Sequence, residues 1–118
     1  MKFSGFVLVL LAAATMPIGA DERLAVQAPN VMLAPGHLVV ETVIEPDPEN
    51  RAIQVTAESA AFYRSSERLL DGNTAPRRNT FEFSGLPPGE YDLHVTLLDA
   101  SGAPRASVLR TLQVRSRA

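Results

Sequence analysis

The chain runs to 118 residues with a formal net charge of -2, and it contains no cysteine and no tryptophan. That length holds one domain. Without a thiol there is no disulfide framework, thiolate metal site, cysteine nucleophile or lipid-bearing cysteine, and the near-neutral charge gives no electrostatic footprint for nucleic acid.

The first twenty residues, MKFSGFVLVLLAAATMPIGA, have the layout of a secretory signal peptide. Lys2 is the positive start. Residues 6–14 are an unbroken apolar run, too short to cross a bilayer of about 30 Å as a helix. Pro17 and Gly19 break it, and Ile18-Gly19-Ala20 sets an aliphatic residue at -3 and a small one at -1. Cleavage after Ala20 is expected, with an uncleaved anchor as the alternative. The domain is then residues 21–118, in the periplasm or outside the cell. Removing the leader removes Lys2, the only lysine, and leaves ten arginines against thirteen acids. That composition excludes lysine Schiff-base chemistry and a lysine isopeptide cross-link in the exported domain.

Beyond the leader, turn signals alternate with short runs of Val, Ile, Leu, Thr and Phe. Residues 24–31 form a first strand interrupted by Pro29, which suits a sheet edge. After the Pro35-Gly36 turn, residues 38–44 (LVVETVI) form a strand that is buried on both faces or carries a bulge. The stretch Glu45-Pro46-Asp47-Pro48-Glu49-Asn50 is a turn rich in oxygen ligands. Its prolines and the lack of an EF-hand order speak against calcium. Residues 52–57 put Ile53, Val55 and Ala57 on one face. Residues 59–70 are expected as a loop or helical turn, then a strand over 67–70 ending at Asp71-Gly72. Residues 80–84 turn Phe81 and Phe83 inward. In residues 90–98, Tyr91, Leu93, Val95 and Leu97 alternate with polar positions, the clearest period of 2 in the chain. Residues 107–114 supply the last strand, and the tail 115–117 frays.

About seven strands at such spacings predict an all-β sandwich. The segment FEFSGLPPGEYDLHV at 81–95 resembles the strand-corner-strand unit of immunoglobulin-like sandwiches of the fibronectin type III and transthyretin-like (carboxypeptidase regulatory-like) kinds. The resemblance covers about fifteen residues and implies a tyrosine corner at Tyr91, whose ring packs inside while its hydroxyl bonds back to the turn. The spacing from Leu86 to Tyr91 is nearer the transthyretin-like pattern. The missing core tryptophan and cysteine pair depart from antibody domains, and the absent lysine departs from pilin domains that form a lysine–asparagine cross-link.

The fold leaves function open. His37 and His94 are the only histidines, there is no G-x-S-x-G elbow, and their spacing suits neither a triad nor a transition metal. No enzyme activity, cofactor or metal is expected. Arginine and tyrosine are enriched at binding hot spots. Tyr63, Arg64, Arg68, Arg77 and Arg78, with Phe62 beside them, are therefore the candidate partner-binding residues. The expected role is an exported, non-enzymatic module that recognises a protein partner through loops or an edge strand. The alternative is a small-ligand module for carbohydrate or calcium. Sugar stacking is limited by the few aromatic rings, three of which, Phe81, Phe83 and Tyr91, belong to the core.

Overall fold

The computed structural model describes residues 23–117; the expected signal peptide lies outside the described residues. These fold into eight strands in two facing sheets. The strands are β1 (Leu24–Gln27), β2 (Val31–Leu33), β3 (Gly36–Ile44), β4 (Ala52–Ser59), β5 (Phe62–Leu69), β6 (Arg78–Leu86), β7 (Gly89–Leu98) and β8 (Pro104–Arg115). A short 3₁₀ turn, Gly72–Thr74, precedes β6. One sheet has the order β1-β3-β6 and the other β2-β8-β7-β4-β5.

The alternation in the sequence decides which face is buried. Tyr91, Leu93, Val95 and Leu97 of β7 are all at most 1% exposed, while Asp92 and His94 between them are exposed. From the opposite sheet Leu38, Val40, Phe81 and Phe83 complete the core. β3 is buried on one face: Leu38, Val40, Thr42 and Ile44 point inward, and Val39 is 41% exposed. Thr42 sits fully buried because its Oγ1 donates to the Asn79 carbonyl at 3.0 Å. Residues 38–44 carry no bulge; the extra residue lies on β6, across from the beginning of β3. Gly36 faces Leu86 and His37 faces Ser84, so Gly85 has no opposite residue, and its φ of 75° suits glycine.

Besides the tail expected to fray, where Arg115 ends β8 opposite Leu33 and Arg117 Nε donates to the Ala34 carbonyl at 3.0 Å, two expectations change. The first strand is two strands in different sheets. β1 pairs antiparallel with β3, and β2 pairs parallel with β8. The segment around Pro29 carries the chain across, so this flank of the sandwich is shared by both sheets. The second change is at 59–70. The expected loop or helical turn with a strand over 67–70 is one continuous strand, β5, joined to β4 by the two-residue turn Ala60-Ala61. Its full-length ladder with β4 overrides the fair helix propensity of the segment.

The corner at Tyr91 forms as the resemblance implies. The buried tyrosine donates its hydroxyl hydrogen to the Pro87 carbonyl at 2.6 Å, satisfying an oxygen that the turn between β6 and β7 leaves over. Its ring meets Phe62 edge to face, with centroids 5.8 Å apart.

Candidate interaction site

β5 is an edge strand, paired on one side with β4. Opposite residues of an antiparallel pair share a face. Ile53, Val55 and Ala57 of β4 point inward and stand opposite Arg68, Ser66 and Arg64. Phe62, Arg64, Ser66 and Arg68 therefore face the inside of the sandwich, and Tyr63, Ser65, Glu67 and Leu69 face outward. The Leu70 N–H donates to the Arg51 carbonyl at 2.9 Å, which fixes the backbone phase. By alternation, the N–H and C=O groups of Tyr63, Ser65, Glu67 and Leu69 point to the free edge. Tyr63 and Leu69 are 65% and 80% exposed.

The inward arginines close the flank. The Arg64 guanidinium lies 5.2 Å from the Phe62 ring centroid and that of Arg68 lies 4.8 Å from Phe81. Arg68 Nη2 also donates to the Thr80 carbonyl on β6 at 3.1 Å, joining the edge of one sheet to the edge of the other. The opposite flank uses the same device. Arg110 occupies an inward position of β8 between buried Val108 and Leu112, and its Nη1 donates to the Val26 carbonyl of β1 at 2.8 Å. A guanidinium does this well because its planar fork stacks on a ring and aims at a carbonyl at once.

Of the sequence-predicted residues, the structure brings Tyr63, Arg64 and Arg68 together on β5. It does not bring Arg77 and Arg78 to the same face. Arg78 lies on the outer face of the three-stranded sheet, paired with Glu41 at 2.7 Å. Arg77 is exposed in the loop before β6, where its carbonyl accepts the Ile44 N–H at 2.8 Å. Tyr63 belongs to the outer face of the other sheet, so it and Arg78 point to opposite sides of the sandwich.

The outer face of the three-stranded sheet holds an arrangement with no sequence signal. The bulge at Gly85 of β6 sets His37 between two β6 residues: Nδ1 is 3.0 Å from Ser84 Oγ and Nε2 is 3.1 Å from Glu82 Oε1. In the tautomer protonated on Nε2, His37 donates to Glu82 and accepts from the serine. These residue types serve nucleophilic catalysis in enclosed sites. Here the imidazole and carboxylate side chains are 56% and 61% exposed, and the surface around them is an open sheet. Exposed at all three residues, the trio ties β3 to β6 across the strands. His94 lies on the opposite outer face, opposite Thr56 and Leu109.

The acidic turn is organised by Arg105. Fully buried Asn50 donates from Nδ2 to the Glu45 carbonyl at 2.8 Å and accepts from Arg105 Nη1 on Oδ1 at 2.6 Å. Asp47 takes the Glu49 N–H at 2.8 Å and faces Arg105 Nη2 at 3.4 Å. The carboxylate counted as a candidate calcium ligand thus has a cation and a backbone donor already. Among the described residues, no group of three or more His, Asp or Glu side chains is placed to hold a metal. At the β7–β8 turn the Asp99 carboxyl is held below its usual range, first by the Ser101 hydroxyl, then by the Ala103 N–H, with smaller help from the Ser101 N–H and Arg105.

No family model and no curated relative matches the chain. Among solved structures it is similar to the sulfur carrier protein SoxY from Chlorobium limicola f thiosulfatophilum, with a TM-score of 0.58 at 13% identity over 95% of this chain and 98% of that one. It is also similar to a CARDB domain from Pyrococcus furiosus solved in complex with di-metal ions, with a TM-score of 0.51 at 14% identity over 85% of this chain and 97% of that one. The fold is an immunoglobulin-like β-sandwich. At these identities the likeness shows the fold alone.

Proposed function

We propose that the chain is an exported, non-enzymatic immunoglobulin-like module that recognises a protein partner by pairing an extended segment with the free edge of β5. The observation that carries this reading is the open backbone of an eight-residue edge strand flanked by exposed Tyr63 and Leu69. Main-chain groups supply the affinity in such pairing and alternate side chains supply the choice of partner. Tyr63 gives a large, stiff contact surface at its outer face, and Arg64 and Arg68 line the inner side of the same edge. Arg77 and Arg78 belong to a separate part of the surface and join the interface only with a partner that wraps the flank. The signal-peptide layout supports export to the periplasm or beyond. The spacing from Leu86 to Tyr91, with its formed corner, supports kinship with the transthyretin-like kind.

Glu67→Pro tests the mode of recognition. It removes an N–H that faces the free edge and leaves the ladder with β4 intact, a position where edge strands accept proline. Glu67→Ala removes the charge alone. In affinity capture from envelope extract, the wild-type chain and E67A retain one saturable partner and E67P loses it. Retention by E67P refutes edge pairing. Sequencing the N-terminus of the chain recovered after export tests the leader: Asp21 as the first residue supports it, and Met1 overturns it.

A further inference from the structure

We infer that the partner for which the β5 edge is built is a second copy of the same edge, joined antiparallel about a two-fold axis through Ser65. This rests on the edge reading above and names its occupant.

The register carries the argument. In an antiparallel pair of identical strands, opposite residues share a face, so each pairing joins residues of equal parity. Two central registers satisfy this. With the axis at Ser66, Arg64 of one copy stands directly opposite Arg68 of the other on both sides of the axis. Like charges directly opposite are destabilising. With the axis at Ser65 no like charges face each other. On the outer face Tyr63 stands opposite Glu67 of the second copy, a phenol hydroxyl beside a carboxylate. On the inner face Arg68 stands opposite Phe62, whose ring already has Arg64 of its own copy at 5.2 Å. Each Arg68 keeps its guanidinium over Phe81 and on the Thr80 carbonyl of its own copy, so only its aliphatic stem meets a Phe62 ring that is half-buried in the single chain. Arg64 falls opposite neutral Ser66. Leu69, 80% exposed, falls opposite Ala61.

The backbone phase agrees. The edge-facing residues are the odd-numbered ones, so Ser65 pairs with Ser65, and Tyr63 with Glu67, as hydrogen-bonded pairs. Together they give about six main-chain bonds. The inward arginines, which would deter a strand of arbitrary sequence, face Phe62 and Ser66 here. The result is a continuous ten-stranded sheet across two sandwiches, closed by symmetry with no further β5 edge to extend it.

The test is sedimentation velocity on the purified chain, in the form in which the cell leaves it, over roughly a hundredfold concentration range. The wild-type chain shows a reversible monomer–dimer equilibrium. S65P removes both bonds at the axis and leaves the monomer. S65K and S65E each set like charges opposite one another and weaken the dimer about threefold to tenfold, and an equimolar mixture of the two recovers it. That recovery depends on the register and keeps the test decisive even where S65P fails to fold. A wild-type chain that stays monomeric overturns the inference, as does a dimer that S65K and S65E leave unchanged. If the chain is monomeric while capture of another protein remains sensitive to E67P, the edge reading stands and only the second copy is removed as its occupant.

Discussion

Replacing Asn50 with alanine measures how far the acidic turn depends on one buried amide. The side chain is fully buried and makes two hydrogen bonds, to the Glu45 carbonyl at 2.8 Å and from the Arg105 guanidinium at 2.6 Å. The first is an amide-to-carbonyl bond, worth about 1 kcal/mol net; the second involves a charged donor and is worth about 1.5–3 kcal/mol. Arg105 has only 17% of its side chain exposed, so water does little to replace the lost acceptor, and Asp47 at 3.4 Å keeps only part of the charge compensated. The expected loss is about 3 kcal/mol, a fall of roughly 12–24 °C in Tm for a domain of this size. Urea denaturation followed by circular dichroism gives the free energy. A cycle with R105A isolates the shared bond, with an expected coupling of about 1.5–3 kcal/mol. If N50A costs less than about 1 kcal/mol, or the two substitutions add without coupling, the hub does not organise the turn.

Three further outcomes follow from other sites. Tyr91→Phe removes the bond to the Pro87 carbonyl and keeps the packed ring; it costs about 1 kcal/mol, a fall of roughly 4–8 °C in Tm by thermal denaturation. Gly72→Ala costs at least about 1 kcal/mol in the same assay, because φ is +58° and a Cβ would stand 3.0 Å from the Pro48 carbonyl oxygen. The folded Asp99 carboxyl titrates below its unfolded value, so its contribution is present above about pH 4 and is lost as pH falls through the lower folded value. Denaturation curves of wild type and D99N therefore converge as the solution is acidified below about pH 4, and a constant difference would contradict the assignment.

The sandwich was legible where one face had to be apolar. β7 alternates without a fault, and the corner at Tyr91 has a sequence signature because a buried hydroxyl needs a carbonyl at a fixed distance along the chain. β5 was hidden for two reasons. Its turn is Ala60-Ala61, which lacks the Gly, Asn or Asp that marks a tight hairpin, and among the described residues no non-glycine residue has positive φ. Its inward positions hold Phe62, Arg64, Ser66 and Arg68, so the face that meets the core has no apolar period. The roles of the arginines were hidden as well. Charge suggests surface, and Tyr63, Arg64, Arg68, Arg77 and Arg78 read as one patch, yet strand parity sends Tyr63 and Arg78 to opposite outer faces and Arg64 and Arg68 to the exposed flank between the sheets, with Arg77 in a loop. Parity does offer a signal: Arg110 falls in step with Val108, Leu112 and Val114. The tie between His37, Ser84 and Glu82 depends on the unpaired residue at Gly85, which shifts the register by one and has no counterpart in composition.

The parallel pairing of β2 with β8 bears on how the domain resists force. The two strands run the same way, with Val31 beside Gln113 and Leu33 beside Arg115. The pairing continues at both ends, through Gln113 N–H to the Asn30 carbonyl at 2.9 Å and Ala34 N–H to the Arg115 carbonyl at 2.8 Å. Tension that enters at β2 from its N-terminal side and leaves at the C-terminal end of β8 slides one strand along the other. The hydrogen bonds lie across that direction, so they share the load and yield together. An antiparallel hairpin pulled from its open end would instead peel one bond at a time. The short strand that follows the crossing at Pro29 is therefore also a shear clamp against tension between β2 and the C-terminal end of β8.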